Sequence, residues 1–125
     1  MLKLVFGLSL ILLAACNKDS SGVNDHVFPV ITLQTPTNGQ VLPNGVAFHI
    51  KGTISDDQYI SQAHVHVNNN TTGAELMDVH LYPNGSSASF DETFTPVAGI
   101  TYNVTIMAQD RATNLSTTTV IVTCN

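Results

Sequence analysis

Apolar side chains recur at every second position in one short stretch after another, and that period leaves little but β-structure open to this chain. Val46, Phe48, Ile50 and Ile54 share one parity; so do Ala63, Val65 and Val67, then Met77, Val79 and Leu81, then Tyr102, Val104, Ile106 and Ala108, and near the end Val120 and Val122. A strand turns successive side chains to opposite faces, so each stretch predicts one buried and one solvated face. Between them stand Thr35-Pro36-Thr37-Asn38-Gly39, Pro43-Asn44-Gly45, Asn68–Gly73, Pro83-Asn84-Gly85 and Ala98-Gly99. Short alternating runs with such turn punctuation predict an all-β sandwich or barrel. Composition agrees: threonine and asparagine number 26 against 13 charged residues, and β-branched residues suit a pleated surface while Asn tolerates turns. One run breaks the rule. Phe90, Glu92 and Phe94 share parity, which would turn Glu92 inward, and a β-bulge there would resolve the conflict.

The length of 125 residues allows one domain, but the first residues read as an address. Met1-Leu2-Lys3 is a short cationic start, and Leu4–Leu13 is an apolar run broken only by Gly7 and Ser9. It is too short for a membrane span of about 20 residues and fits the hydrophobic region of a signal peptide. Leu13-Ala14-Ala15-Cys16 resembles a bacterial lipobox; the plainer alternative is a secretory leader with an incidental cysteine. The lipobox resemblance implies cleavage of residues 1–15, diacylglycerol and further acyl chains such as palmitate on Cys16, and permanent attachment to a membrane. Asn17 is not the aspartate associated with inner-membrane retention, which points to the outer membrane of a cell envelope. Residues 17–28 are mostly small and polar, a composition that buries too little to order itself, so 16–28 is expected to be a lipidated cysteine followed by a flexible tether. The folded domain is expected over 29–125.

Within that domain, Pro29-Val30-Ile31-Thr32-Leu33 with Thr35–Gly39, then Ser55-Asp56-Asp57-Gln58-Tyr59-Ile60, then Ala108-Gln109-Asp110-Arg111-Ala112-Thr113-Asn114, resembles the bacterial Ig-like and cadherin-like domains. Thr113 stands where that family usually has Gly. Val97–Tyr102 resembles a tyrosine corner, in which a Tyr at the start of the sixth strand bonds back to the preceding loop. The resemblance implies an immunoglobulin-like antiparallel β-sandwich of seven to eight strands. Ser55–Ile60 would be the loop between its second and third strands. Such a fold serves many functions and does not select one. Beyond Cys16 the remaining cysteine, Cys124, shares parity with Val120 and Val122 and is expected to be a small buried hydrophobe.

Two clusters of side chains carry possible chemistry. If Asn68–Gly73 closes a hairpin, pairing apolar partners sets Ala63 opposite Leu81, Val65 opposite Val79 and Val67 opposite Met77. The same register sets His64 opposite His80 and His66 opposite Asp78. Cross-strand partners hold their Cβ atoms about 4.5–5.5 Å apart. His64, His66, Asp78 and His80 would therefore form one patch on the solvent face. That donor set suits Zn²⁺ or another borderline divalent cation, although flat sheet faces seldom converge four ligands tetrahedrally. The second cluster is Asp56, Asp57, Asp110 and Asn114, on loops expected at one end of the sandwich. Their oxygens could hold Ca²⁺; the simpler expectation is that they accept backbone amides and pin the two loops together.

Much else is excluded. A net charge of −5 argues against nucleic acid, which needs a basic footprint. The chain has no G-x-S-x-G elbow and no glycine-rich phosphate loop. Asp91 and Glu92 are neighbours on one strand and would face opposite ways, so they cannot flank one glycosidic bond. Tryptophan is absent and Tyr59, Tyr82 and Tyr102 are dispersed along the chain, so no aromatic platform for sugar stacking is visible. The expectation is a non-enzymatic, membrane-anchored envelope lipoprotein whose Ig-like domain binds a protein or glycan partner or acts as a spacer. The alternative is a divalent-metal-binding lipoprotein that uses the histidine face.

Overall fold

The computed structural model describes residues 24–125; the expected leader, Cys16 and the first part of the tether lie outside that range. The described residues form an all-β domain with no helix. Its strands are β1 (Val30–Thr35), β2 (Val41–Leu42), β3 (Phe48–Asn69), β4 (Glu75–Leu81), β5 (Gly85–Phe94), β6 (Thr101–Asp110) and β7 (Leu115–Cys124).

One strand builds both layers. The first part of β3 pairs antiparallel with β1 and β5 through Phe48–Ser55, and its last part pairs with β4 and β6 through Ile60–Asn69. The partners change across Ser55–Gln62, where the registers shift. Strands that switch sheets by a bend or bulge make the corners of sandwiches. One layer is thus β1-β3-β5, and the other is β4-β3-β6-β7-β2. The expected loop at Ser55–Ile60 is therefore not a break between two strands but the corner of one 22-residue strand. Asp56 Oδ2 makes the corner, accepting the amides of Gln58 at 3.0 Å and Tyr59 at 2.8 Å. The sandwich is antiparallel except for the two-residue β2, which runs parallel to β7.

The alternation places the core as expected. Val65 and Val67 on β3 pair with Ile106 and Val104 on β6, and all four are fully buried. Cys124 is buried beside them. Tyr102 is buried and its hydroxyl accepts the Val97 amide at 2.8 Å, so the tyrosine corner is formed.

Three local readings need correction. Val46 precedes the strand and is 54% exposed, because Pro43-Asn44-Gly45 delays β3 until Phe48. No bulge interrupts β5 at Glu92, which stays in register opposite Ile50. Among the described strands β5 pairs only with β3, and at such an edge a long acidic side chain reaches water without breaking the ladder. Residues expected at the end of a loose tether are fastened down: Asn114 Nδ2 donates to the carbonyls of Asp25 and Val27 at 2.9 and 3.2 Å, and at the expected start of the domain Ser116 Oγ donates to the carbonyl of Pro29 at 2.6 Å.

Gly52 permits the tightest contact of the first layer. It sits between Leu33 of β1 and Phe90 of β5. A β-carbon there would run into the Thr32 carbonyl oxygen and lie 2.6 Å from Phe90 Cζ. Glycine in a strand interior often marks such a close approach.

Candidate metal site

The β3–β4 hairpin sets the site, and its turn sets the hairpin. Asn69 Oδ1 accepts the amides of Thr71 and Thr72 at 2.9 and 3.1 Å, and the Asn69 carbonyl accepts the Gly73 amide at 2.8 Å. Gly73 takes φ of 74°, a left-handed conformation that glycine adopts without steric cost. The ladder leaving this turn pairs Ala63 with Leu81, His64 with His80, Val65 with Val79, His66 with Asp78 and Val67 with Met77. This is the register expected from the apolar pattern alone. Burying Val65 and Val67 forces the alternate residues His64 and His66 onto the outer face, since a one-residue slip would turn both sets over.

The four predicted residues meet there, centred on one carboxylate. Asp78 Oδ2 lies 2.8 Å from His80 Nε2, and Asp78 Oδ1 lies 3.5 Å from both His64 Nδ1 and His66 Nδ1. The His64 and His80 rings are 3.9 Å apart between centroids, and His64 stacks on His66 at 5.3 Å. The site is half-sheltered: side-chain exposure is 22% at His64, 19% at His66, 24% at Asp78 and 46% at His80. Some desolvation raises the Asp78 carboxyl, but the His80 hydrogen bond and the charges of His66, His80 and His64 outweigh it and hold the group below its ordinary value.

The donors do not all face one point. Ligand atoms of His64, Asp78 and His80 lie within 4.8 Å of one another, and a second trio, His66, Glu75 and Asp78, satisfies the same limit. Glu75 was not legible in the spacing. After Val67–Met77 the register shifts, and Asn68 faces Glu75 rather than Leu76. That one-residue bulge carries Glu75 to the outer face beside His66 and leaves Leu76 exposed.

The second predicted cluster is divided. Asp56 pins the β3 corner through Oδ2, while its Oδ1 is buried and accepts no hydrogen bond among the described residues. Asp110 is buried and takes the Asn114 amide on Oδ1 at 2.8 Å and Asn114 Nδ2 on Oδ2 at 2.7 Å. Asn114 in turn holds the segment before β1. Asp56, Asp110 and Asn114 thus act as loop pins. Asp57 is exposed and pins no loop among the described residues; its carboxylate gathers with those of Asp25 and Asp56. Partial desolvation, then the negative charges of Asp25 and Asp56, raise its pKa above the ordinary value. Close by, the Arg111 guanidinium stacks 3.8 Å over the Tyr59 ring.

No protein-family model matches the chain, and no curated protein matches it by sequence. Solved structures share its fold. The fibronectin(III)-like modules of Clostridium thermocellum CbhA align with a TM-score of 0.55 and 20% identity over 79% of this chain and 47% of theirs, so the chain spans about half of that structure. A superoxide reductase (neelaredoxin) from Ignicoccus hospitalis aligns with a TM-score of 0.53 and 10% identity over 78% of this chain and 80% of its own. At these identities the likeness is one of fold: an Ig-like β-sandwich.

Proposed function

We propose that this chain is a non-enzymatic module of the cell envelope, held to the outer membrane through lipid on Cys16, and that its β-sandwich presents the outer face of β3 and β4 to bind a divalent transition-metal ion. The observation that carries the binding assignment is the placement of three imidazoles around the Asp78 carboxylate. Imidazole and carboxylate are good ligands for Zn²⁺ and its neighbours. The donors contact one another, with no hydrogen bond to the backbone among the described residues, so an ion can replace their mutual contacts without unpicking the sheet. In the trio His64, Asp78 and His80 the carboxylate already lies 2.8 Å from one imidazole and 3.5 Å from the other. Three protein ligands on a four-coordinate ion leave one position for water or for a group on a partner. The membrane assignment rests on Leu13-Ala14-Ala15-Cys16 and the polar stretch that follows it.

Zn²⁺ titrated into the purified chain at pH 7.5, followed by calorimetry and thermal shift, tests the binding. Micromolar or tighter affinity is expected, lost in His64→Ala and in His80→Ala. Absence of heat and of any thermal shift, or equal binding by both variants, overturns it. Affinity is expected to fall below about pH 6, because imidazole must be neutral to ligate. Membrane fractionation and the mass of the mature N-terminus test the anchor: an unmodified Cys16 on a soluble product overturns it.

A second reading needs no ion. The fibronectin(III)-like fold supports a spacer that lifts a protein- or glycan-binding surface away from the membrane. It becomes the better reading if the Zn²⁺ titration is silent and the anchor is confirmed.

A further inference from the structure

Resting on the metal-binding reading above, we propose that the outer face of the β3–β4 hairpin holds two divalent ions, one on His64, Asp78 and His80 and the other on His66, Glu75 and Asp78, with the Asp78 carboxylate bridging them. The two trios share that one residue and use every histidine of the patch once. Asp78 is placed to bridge. Its Oδ2 faces His80, while its Oδ1 lies equally far from His64 and His66. Both oxygens of a carboxylate can ligate, and bridged pairs of ions in proteins lie about 3.5–4 Å apart.

Charge explains why Glu75 is needed. A first ion on His64, Asp78 and His80 meets one carboxylate and two neutral imidazoles and keeps a net positive charge. A second ion beside it is repelled unless another anion joins it. Glu75 is that anion, and only the bulge between Val67–Met77 and Asn68–Glu75 turns it to this face. In an unbroken ladder Leu76 would stand opposite Asn68, and the second trio would lack a ligand. Bulges re-aim side chains in this way beside functional sites. The second ion binds on the order of tenfold more weakly than the first or worse, because it enters the field of a like charge. Each ion has three protein ligands, so the pair keeps adjacent open positions and a surplus of positive charge. The ligand class that fits is a small oxyanion or hydroxide spanning both ions.

Native mass spectrometry and calorimetry of the purified chain with Zn²⁺ separate this from the single-ion case. Two ions per chain are expected for the unaltered protein. Glu75→Gln and His66→Ala should each bind one, while His80→Ala should lose the tighter ion. Asp78→Asn should weaken both. All four positions are on the outer face, and a cooperative thermal melt of each metal-free variant checks that it folds. Substituting Co²⁺ gives a second readout: a bridged pair shows exchange coupling in its magnetic resonance spectrum, and Glu75→Gln abolishes it. One ion per chain, bound alike by Glu75→Gln and the unaltered protein, overturns the pair and leaves the single-ion reading standing. A second ion lost in His49→Ala but kept in Glu75→Gln also overturns it, since His49 and Asp91 form a separate exposed pair. No Zn²⁺ bound at all overturns both readings.

Discussion

Two regions of this sandwich gather polar side chains in similar numbers and use them in opposite ways. At the β3 corner and the β6–β7 turn, Asp56 Oδ2, Asp110 Oδ1 and Asn114 Nδ2 engage backbone amides and carbonyls. On the outer face of β3 and β4, His64, His66, Asp78 and His80 contact one another, and the backbone around them is already satisfied by the ladder. Donors engaged with the backbone hold the fold and resist reassignment. Donors engaged only with each other stabilise little, and remain free to take a ligand. The difference explains why two clusters that look alike as residue lists predict different chemistry.

The largest effect should come from beneath the second region. Ile106 pairs with Val65 between His64 and His66 and is fully buried. Ile106→Ala should cost about 2–5 kcal/mol as lost transfer energy plus a cavity, read as a lower denaturation midpoint. An unchanged midpoint would mean that the patch does not stand on the core. Asp110→Ala comes next. It leaves the Asn114 amide without its buried acceptor, at about 1–3 kcal/mol, and should leave Zn²⁺ affinity unchanged. His64→Ala should do the reverse, removing the tighter Zn²⁺ ion with little change in metal-free stability. If Asp110→Ala weakens Zn²⁺ binding, or His64→Ala lowers metal-free stability as far as Asp110→Ala does, the division between holding and binding regions fails.

A smaller effect sharpens the first region. Thr113 takes φ of 72° in the β6–β7 turn, where its amide reaches the Asp110 carbonyl at 3.3 Å. A residue with a Cβ pays roughly 1–2 kcal/mol in the left-handed region. Thr113→Gly relieves that strain but gives the unfolded chain more freedom, so a net gain of about 1 kcal/mol is expected from denaturant melts. A loss would show that the threonine side chain makes a compensating contact.

These outcomes follow where sequence and structure agree and where they part. Alternation placed Val65, Val104 and Ile106 inward, and from the same apolar pairing came the full His64–His80 register, because one buried face determines both faces of a strand. The tyrosine corner was legible because its residues are adjacent in the chain. Glu75 was not, since a bulge shifts parity and leaves no mark in an apolar pattern that has already ended at Met77. The Ser55–Ile60 corner was read as a loop from its resemblance to the loop between the second and third strands of Ig-like domains; in the fold those residues turn one strand from layer to layer. Asp25 was hidden by sequence distance: it reaches Asp56 and Asn114 only when the chain before β1 packs against the β6–β7 turn.

The last test uses the two carboxyls that titrate in opposite directions. Asp57 is raised above its ordinary value of 3.8 by partial desolvation and then by Asp25 and Asp56, whereas at Asp78 the desolvation is outweighed by the His80 hydrogen bond and the charges of the surrounding histidines. A raised carboxyl destabilises the native state once it ionises, so its cost appears as pH climbs from the ordinary value through the folded one and is absent below both. Asp57→Asn should therefore stabilise the chain near neutrality, with the gain vanishing in acid. A lowered carboxyl contributes stability above the ordinary value and loses it as pH falls through the folded one. Asp78→Asn should destabilise the metal-free chain at mildly acidic pH, and the loss should shrink as pH drops below 3.8. Asp57 is exposed and Asp78 is only half-sheltered, so both effects should be small. Denaturation midpoints of the two variants and the unaltered chain, compared between about pH 3 and pH 6, should diverge with opposite signs as pH rises. Parallel curves would mean that the histidine patch exerts no pull on Asp78, and the proposed metal-binding face would lose its electrostatic centre.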